Sequence, residues 1–452
     1  MSLPAWTVDQ VAAMAPDPGS AKAGHALATP RKWVSTGRDA RALWGECQGS
    51  GSKPYQVIVD AAEPAFRCSC PSRKFPCKHG LGLLLLYAAQ PAQVPEAEPP
   101  AWVAEWLTMR EARAEKKAEK AAAPAAAERI PDPAAQAKRA AQREERVRAG
   151  LDDLEQWLHD GVRQGLAAAR GRPHAEWERV AARLVDAQAQ GAARLVREMT
   201  TVPDSGNGWP DRLLERMARL QLLAGAARRM DALPEEVAAD VRTALGWTAR
   251  QEEVLAGPGE RDTWIVLGAR TETEDKLRVQ RTWLRGESTG RTALLLAFAA
   301  GGQPLEPGPP PGTRFAAELA FYPGAHPLRA VIRERTGTPE PVASLPGADS
   351  LEAALGEWSA ALSRNPWTER LALPLRGVTP ARDGERWMLA DSTGAALPLA
   401  PSADGAAWIL LAAGGGRPIE VAAEWDGVSL LPLAAVAEGR FLILPTADGG
   451  GA

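Results

Sequence analysis

The apolar positions along this chain change period twice, and those changes divide it. Residues 31–47 (RKWVSTGRDARALWGEC) and 54–60 (PYQVIVD) alternate in part between β-branched or aromatic and polar side chains, which predicts strands. The QGSGSKP stretch ahead of the second run supplies the glycine and proline that a hairpin turn requires. GLGLLLLYAAQ then sets Leu81, Leu84, Leu85 and Ala88 at helical spacing, and Pro91 with PEAEPP ends that helix. A further helix is expected over 101–121, with Trp102, Val103, Trp106 and Leu107 on one stripe and an all-polar second half, REARAEKKAEK. AAAPAAAERIPDP reads as linker.

From 134 to 256 the period is that of helices. Val147, Leu151, Leu154, Leu158 and Val162 recur at three and four residues, as do Trp177, Val180 and Leu184, and later Leu213, Met217, Leu220 and Ala224. Pro173, Pro210 and Pro234 stand near helix starts, and Thr248 with Gln251 suits a capping box. A bundle of four to five helices follows. From about 260 the period falls to two. TWIVLGA, KLRVQRTWL, RTALLLAFA, RFAAELAFY and LRAVIRER are expected strands, a helix near 349–363 interrupts, and WTERLALPL, RWMLAD, AWILLAA, IEVAAEW and RFLIL resume strands. Trp264, Trp387 and Trp408 each open an aliphatic run, a weak internal echo of two small antiparallel sheets or barrels. The expected fold class is multidomain α+β: an N-terminal module at 1–95, helix and linker at 96–133, the bundle at 134–257, and a β-rich region at 258–452.

Composition adds little to this until charge and cysteine are placed on it. No run of about 18 apolar residues exists, so no membrane partner is expected. MSLPAWTVDQ lacks the basic and apolar regions of a secretory leader, so a cytoplasmic address is expected. The excess of arginine over lysine, with abundant alanine, glycine and proline, reads as the codon bias of a GC-rich bacterial genome. The net charge is −3, yet residues 20–80 hold ten Lys/Arg against four Asp/Glu. A polyanion would therefore meet the N-terminal module first.

Three of the four cysteines, Cys68, Cys70 and Cys77, fall within ten residues, and His79 follows. Without an export signal, clustered cysteines point to metal rather than to disulfides. Residues i and i+2 of a strand share a face, so Cys68 and Cys70 can grip one ion together; a six-residue loop returns Cys77 and His79 to complete the shell. Four filled positions describe one structural zinc ion, with no coordination site left for substrate. The histidine lies two residues after the last cysteine, where the short-chain iron–sulfur proteins with three cysteines and one histidine place it four residues on, and no Cys-x-x-Cys redox pair is present. Cys47, on an expected strand, reads as a small buried hydrophobe, with a second-shell or alternative ligand role left open.

The pattern Cys-x-Cys, six residues, Cys-x-His, with PYQV before it and PCKHGL after it, resembles the SWIM zinc finger over roughly residues 30–90. The resemblance implies a ββα module that binds DNA or protein. The chain is also similar to the larger bacterial SWIM proteins that accompany a MoxR-type AAA+ ATPase and a VWA (von Willebrand factor A) protein, which implies an adaptor or substrate-recognition part of a chaperone-like system. Around the knuckle, Arg67, Arg73, Lys74 and Lys78, with Arg31, Lys32 and Lys53 upstream, are candidate contacts to DNA or RNA phosphates, though a solvated basic face explains them equally.

Other motifs carry less. GESTGRT at 286–292 is one residue short of a phosphate loop, has arginine where lysine is required and lies between expected strands, so a hairpin turn is expected there. Gly414, Gly415 and Gly416 read as a turn, and Asp152, Asp153 and Glu155 as a solvated helix side. His25, His159, His174 and His326 have no metal spacing and no nucleophile motif beside them. No catalytic constellation is legible, and a non-enzymatic protein is expected.

Overall fold

The computed structural model describes residues 3, 6–15, 18–49, 53–60, 65–72, 76–110, 133–274, 277–300, 305 and 308–445, of which 9, 10, 13, 18, 133–144 and 274 by their backbone alone. Two helices that the sequence reading left unassigned, α1 (Val8–Ala13) and α2 (Pro18–Leu27), precede an antiparallel meander. Its strands are β1 (Trp33–Arg38), β2 (Ala42–Cys47), β3 (Tyr55–Asp60) and β4 (Ala65–Cys68). The 31–47 run divides into a hairpin because Asp39 caps the turn: its Oδ1 accepts the N–H groups of Arg41 and Ala42 at 2.8 and 2.7 Å.

The alternation along these strands gives the sheet two buried faces. Leu43, Val57, Val59 and Phe66 pack on helix α3 (Lys78–Ala89), whose Leu81, Leu83, Leu84, Leu85 and Leu86 are all buried, against α1 and α2 as well as the sheet. Ala42, Trp44 and Ile58 on the other face receive Val103 and Leu107 from α4 (101–110), so the expected Trp–Val stripe docks on the back of the module. Buried Asp60 holds Arg110 of α4 at 3.1 Å and Arg41 at 3.4 Å. The remainder of the helix expected to 121, and the linker up to 132, lie outside the described residues.

In the middle of the chain α5 (Pro133–Gln164), α6 (His174–Asp186), α7 (Gln190–Glu198), α8 (Trp209–Arg228) and α9 (Glu235–Leu245) share one core, which includes Leu151, Leu154, Leu158, Trp177, Leu184, Leu213, Leu220 and Leu245. The expected stripes lie on that core except at Val162, which is exposed near the end of α5. Of the three acids expected to be solvated, Asp152 and Asp153 are exposed but Glu155 is buried, accepting Gln221 Nε2–H at 2.6 Å and pairing with Arg228. The short α10 (Gln251–Ala256) is capped at Arg250, whose N–H meets Glu253 Oε2 at 3.4 Å, two residues beyond the Thr248 expected to cap it.

Five strands then close a barrel: β5 (Gly259–Glu274), β6 (Leu277–Gly286), β7 (Thr292–Ala300), β8 (Thr313–Phe321) and β9 (Arg329–Pro341). Their order β5-β6-β7-β9-β8, with β7 and β9 parallel, is that of a small Greek-key barrel of the oligonucleotide/oligosaccharide-binding (OB) type. Helix α11 (Leu351–Arg364), capped by Ser350 Oγ accepting Ala353 N–H at 3.2 Å, leads to a second sheet. Strands β10 (Leu371–Asp383), β11 (Arg386–Ala390), β12 (Ala396–Pro398), β13 (Ile419–Trp425), β14 (Leu430–Ala437) and β15 (Arg440–Ile443) form it in the order β12-β11-β10-β13-β14-β15. AWILLAA, expected as a strand, is helix α12 (Asp404–Gly414): Ala406, Ala407, Leu410 and Gly414 face the sheet while Trp408 and Ile409 face outward. A seven-residue apolar run fits either period, and here Gly415 at φ 56° ends a helix. Trp408 therefore opens no strand, which removes one member of the tryptophan echo, and strands β12 and β14 lie outside the expected runs.

The units touch through specific contacts. The outer barrel face (Ile265, Leu267, Trp283) packs on Ala372, Ala422 and Leu433 of the second sheet. Inside that seam buried Glu424 accepts Trp283 Nε1–H at 2.8 Å and Arg370 Nη1–H at 3.1 Å, with Arg270 at 3.5 Å. The bundle joins the β region where Asp240 of α9 accepts Ala325 N–H and Asn365 Nδ2–H, both at 2.9 Å. No helix of the described residues is long and apolar enough to cross a membrane.

Burial pushes the Asp240 carboxyl up to about 6 from 3.8, against the pull of the Ala325 N–H and with Glu236 adding to the rise. A carboxyl raised in the folded state favours folding while protonated, and that contribution is lost as pH rises through the folded value. Asp240→Asn should therefore flatten the stability profile between pH 4 and 7, removing a fall of roughly 2–3 kcal/mol that the parent shows over that window. Denaturant midpoints across the pH series check it; equal slopes for parent and variant would contradict it.

Candidate metal centre

The pairing of β4 with β3 runs one residue past the strand. Ser69 N–H bonds Gln56 O at 3.0 Å, and Gln56 N–H bonds Ser69 Oγ at 2.9 Å. Ser69 thereby clamps the backbone between the first two donors. Cys68 closes the strand and Cys70 stands in the bend after it, so the pair converges across a strand end rather than on the face of a continuing strand as expected. Cys77 is the N-cap of α3 in extended conformation, its carbonyl accepting Leu81 N–H at 3.1 Å. His79 follows in the first turn, buried, with its ring 4.9 Å from that of Tyr55.

This scaffold brings four donor atoms together. One each from Cys68, Cys70, Cys77 and His79 all lie within 4.8 Å of one another, and Cys68 Sγ stands 3.7 Å from His79 Nδ1. Bonds of about 2.3 Å to sulfur and 2.0 Å to nitrogen place tetrahedral donors roughly 3.5–3.8 Å apart, so the set fits one zinc ion after a small contraction. Three thiols and one imidazole form a closed structural shell. The Cys77 thiol is held down to about 3, first by the hydrogen bond from Cys68, then by His79 and the N–H groups of Gly80 and His79 opening α3, while Cys68 is pushed up in return.

Gly80 lets α3 approach this closely. A Cβ there would meet Phe66 Cδ1 at 2.8 Å, and Phe66 is a buried member of β4. Cys47 stands at the end of β2, fully buried among Trp33, Val57 and Val59, and is not one of the four clustered donors. Burial pushes its thiol up.

The seven basic candidates do not share one surface. Arg73 and Lys74 lie outside the described residues. Arg31, Lys32 and Lys53 stand where β1 and β3 begin, at the end of the sheet that carries the knuckle, and Lys78 opens α3 there. Arg67 pairs with Ile58 across the β3–β4 ladder and so belongs to the face that α4 covers. All five are exposed, and none forms an ion pair among the described residues. What the sequence reading missed is the support: the Ser69 clamp and the Tyr55 ring, legible only once β3 and β4 are paired.

The GESTGRT segment is the expected turn, and Asp262 explains its likeness to a phosphate loop. The turn offers backbone N–H groups to an anion, and Asp262 is that anion, accepting from Ser288 N at 3.1 Å and from Thr289 N at 2.9 Å.

Residues 56–88 match the family described as SWIM zinc finger, and residues 142–245 match the SWIM-associated four-helix bundle domain. No curated protein and no solved structure matches the chain.

Two variants separate ligand from neighbour. Cys77→Ala should abolish stoichiometric zinc and unfold the α3–sheet unit, because structural zinc contributes on the order of 10 kcal/mol to folding. Cys47→Ala should keep one zinc per chain and cost about 1–2 kcal/mol in packing. Elemental analysis with near-UV dichroism reads both; zinc retained by Cys77→Ala contradicts the assignment.

Proposed function

We propose, from the two SWIM-type matches and the four-donor site, that this chain is a non-enzymatic, zinc-folded adaptor whose N-terminal module contacts nucleic-acid phosphates. The observation that carries the reading is the group of Arg31, Lys32, Lys53 and Lys78, exposed and without carboxylate partners among the described residues, at the zinc end of the sheet. Lysine and arginine free of internal ion pairs release phosphate counterions on contact, a sequence-independent mode of binding. The shell of four protein donors leaves the ion no open position, so its role is to hold that surface in shape. In this reading the bundle and β region connect the module to protein partners, and the resemblance to SWIM proteins that accompany AAA+ ATPase and VWA proteins supports a chaperone-like system as the setting.

A second reading makes the whole chain a protein–protein scaffold in which the finger is only a staple. It is favoured by α4, which covers the back of the sheet, and by the contact of α1 with β15, which ties the module to the C-terminal sheet.

Electrophoretic shift of single- and double-stranded DNA and RNA by the full zinc-loaded chain tests the first reading. Binding should weaken steeply between about 50 and 200 mM salt. Lys32→Glu with Lys78→Glu should lower affinity by roughly tenfold or more while zinc content stays at one. No binding at low salt, with ATPase or VWA partners recovered at unchanged yield after nuclease treatment, would replace it with the scaffold reading.

A further inference from the structure

A groove of about 460 Å³ lies where the bundle meets the barrel, between the first turn of α9, the start of β5 and the segment that follows β8. Pro258, Tyr322, Pro323 and Pro327 form its apolar wall, and Glu235, Glu236 and Glu260 supply its carboxylates. Their states differ. Glu235 is taken by Arg242 at 2.7 Å. Glu260 is engaged by Arg291 through Oε2, while its Oε1 is shut off from solvent with no partner. Glu236 is exposed and has neither hydrogen bond nor ion pair among the described residues. Asp240, one turn further along α9, lies directly behind the groove: a Cβ on Gly324 would come 2.4 Å from its Oδ1.

The groove already displays the chemistry that suits it. Arg291 lays its guanidinium 3.6 Å above the Phe321 ring while it pairs with Glu260, a cation held between an aromatic face and a carboxylate. That pair is neutral within itself, and Arg329 stacks on the Tyr322 ring at 4.0 Å, so Glu236 remains a carboxylate without an ion pair among the described residues, beside an apolar wall. A side chain with a planar cation on an aliphatic stem satisfies both: the stem covers proline and tyrosine, and the head reaches the free carboxylate. Junctions between domains are common places for such sites.

We propose that this groove binds an arginine side chain on a basic segment of a partner protein, with Glu236 as the recognising carboxylate. The site is remote in sequence from the zinc module and does not depend on its binding nucleic acid. The probe is acetyl-Gly-Arg-Pro-amide, titrated calorimetrically into the full zinc-loaded chain, beside the same peptide with neutral, near-isosteric citrulline in place of arginine. Saturable binding of the arginine peptide is expected, with the citrulline peptide at least about tenfold weaker. Glu236→Gln should weaken the arginine peptide by a similar factor. The control Glu385→Gln, on the turn between β10 and β11, should leave it unchanged. Glu236 is exposed and unpaired, so its variant should retain the parent dichroism spectrum; Glu260→Gln provides a second variant at the same site. Equal affinity for the two peptides, equal affinity in parent and Glu236→Gln, or no saturable binding at millimolar peptide would overturn the proposal.

Discussion

The N-terminal quarter of the molecule depends on twelve residues being closed into a ring around one ion. Between Cys68 and His79 the chain must leave β4 and enter α3, and between Ser69 and Cys77 no strand ladder or helix holds the described residues of that path. Coordination of three thiols and one imidazole supplies the closure, and everything packed on α3 inherits its position. Two features prepare the ring. Ser69 fixes the first pair of ligands to β3, and a hydrogen bond from Cys68, with help from the opening turn of α3, favours the thiolate of Cys77. The ion then fixes a short sheet and an unusually apolar helix, with α1, α2 and α4 packed around them, as one platform.

A different logic holds the C-terminal half. The barrel and the open sheet meet through an apolar seam, and within it Glu424 is surrounded by Trp283, Arg270 and Arg370. A buried carboxylate among arginines adds little net stability, but it penalises any other register of the two sheets, since each would leave a charge unpaired. In OB barrels the face of the second and third strands, with its flanking loops, commonly receives ligands. Here the seam covers part of that face through Trp283 and Leu294, so the chain's own sheet occupies ground that a ligand would use elsewhere.

The ligand set was legible because its chemistry is local: four metal-binding side chains within twelve residues constrain one another whatever the rest of the chain does. The helical stripes were legible for a similar reason, since Leu151, Leu154 and Leu158 declare one face over several turns. Failures occurred where local signals were balanced. AWILLAA fits strand or helix, and only the packing of Ala407 and Leu410 on the sheet chose helix. Glu155 reads as an exposed acid until Gln221 and Arg228 arrive from another helix to bury and satisfy it. Arg67 lies beside Cys68 in sequence yet belongs to the opposite side of the sheet, because successive residues of a strand alternate faces.

By itself, then, the sequence determined the zinc ligands, the succession of small sheet, bundle and β-rich region, and most of the residues that would be buried in the bundle. These follow from spacing along the chain, and spacing survives without any knowledge of the fold. Tertiary structure decided which faces meet: α4 on the back of the sheet, the barrel against the open sheet, α9 against the start of β5. It also decided which charges are spent on internal partners and which, like Lys32, Lys78 and Glu236, remain available. Such outcomes depend on residues far apart in sequence, 141 positions for Trp283 and Glu424 and 175 for Arg194 and Glu369, and no local pattern records a contact formed at that distance.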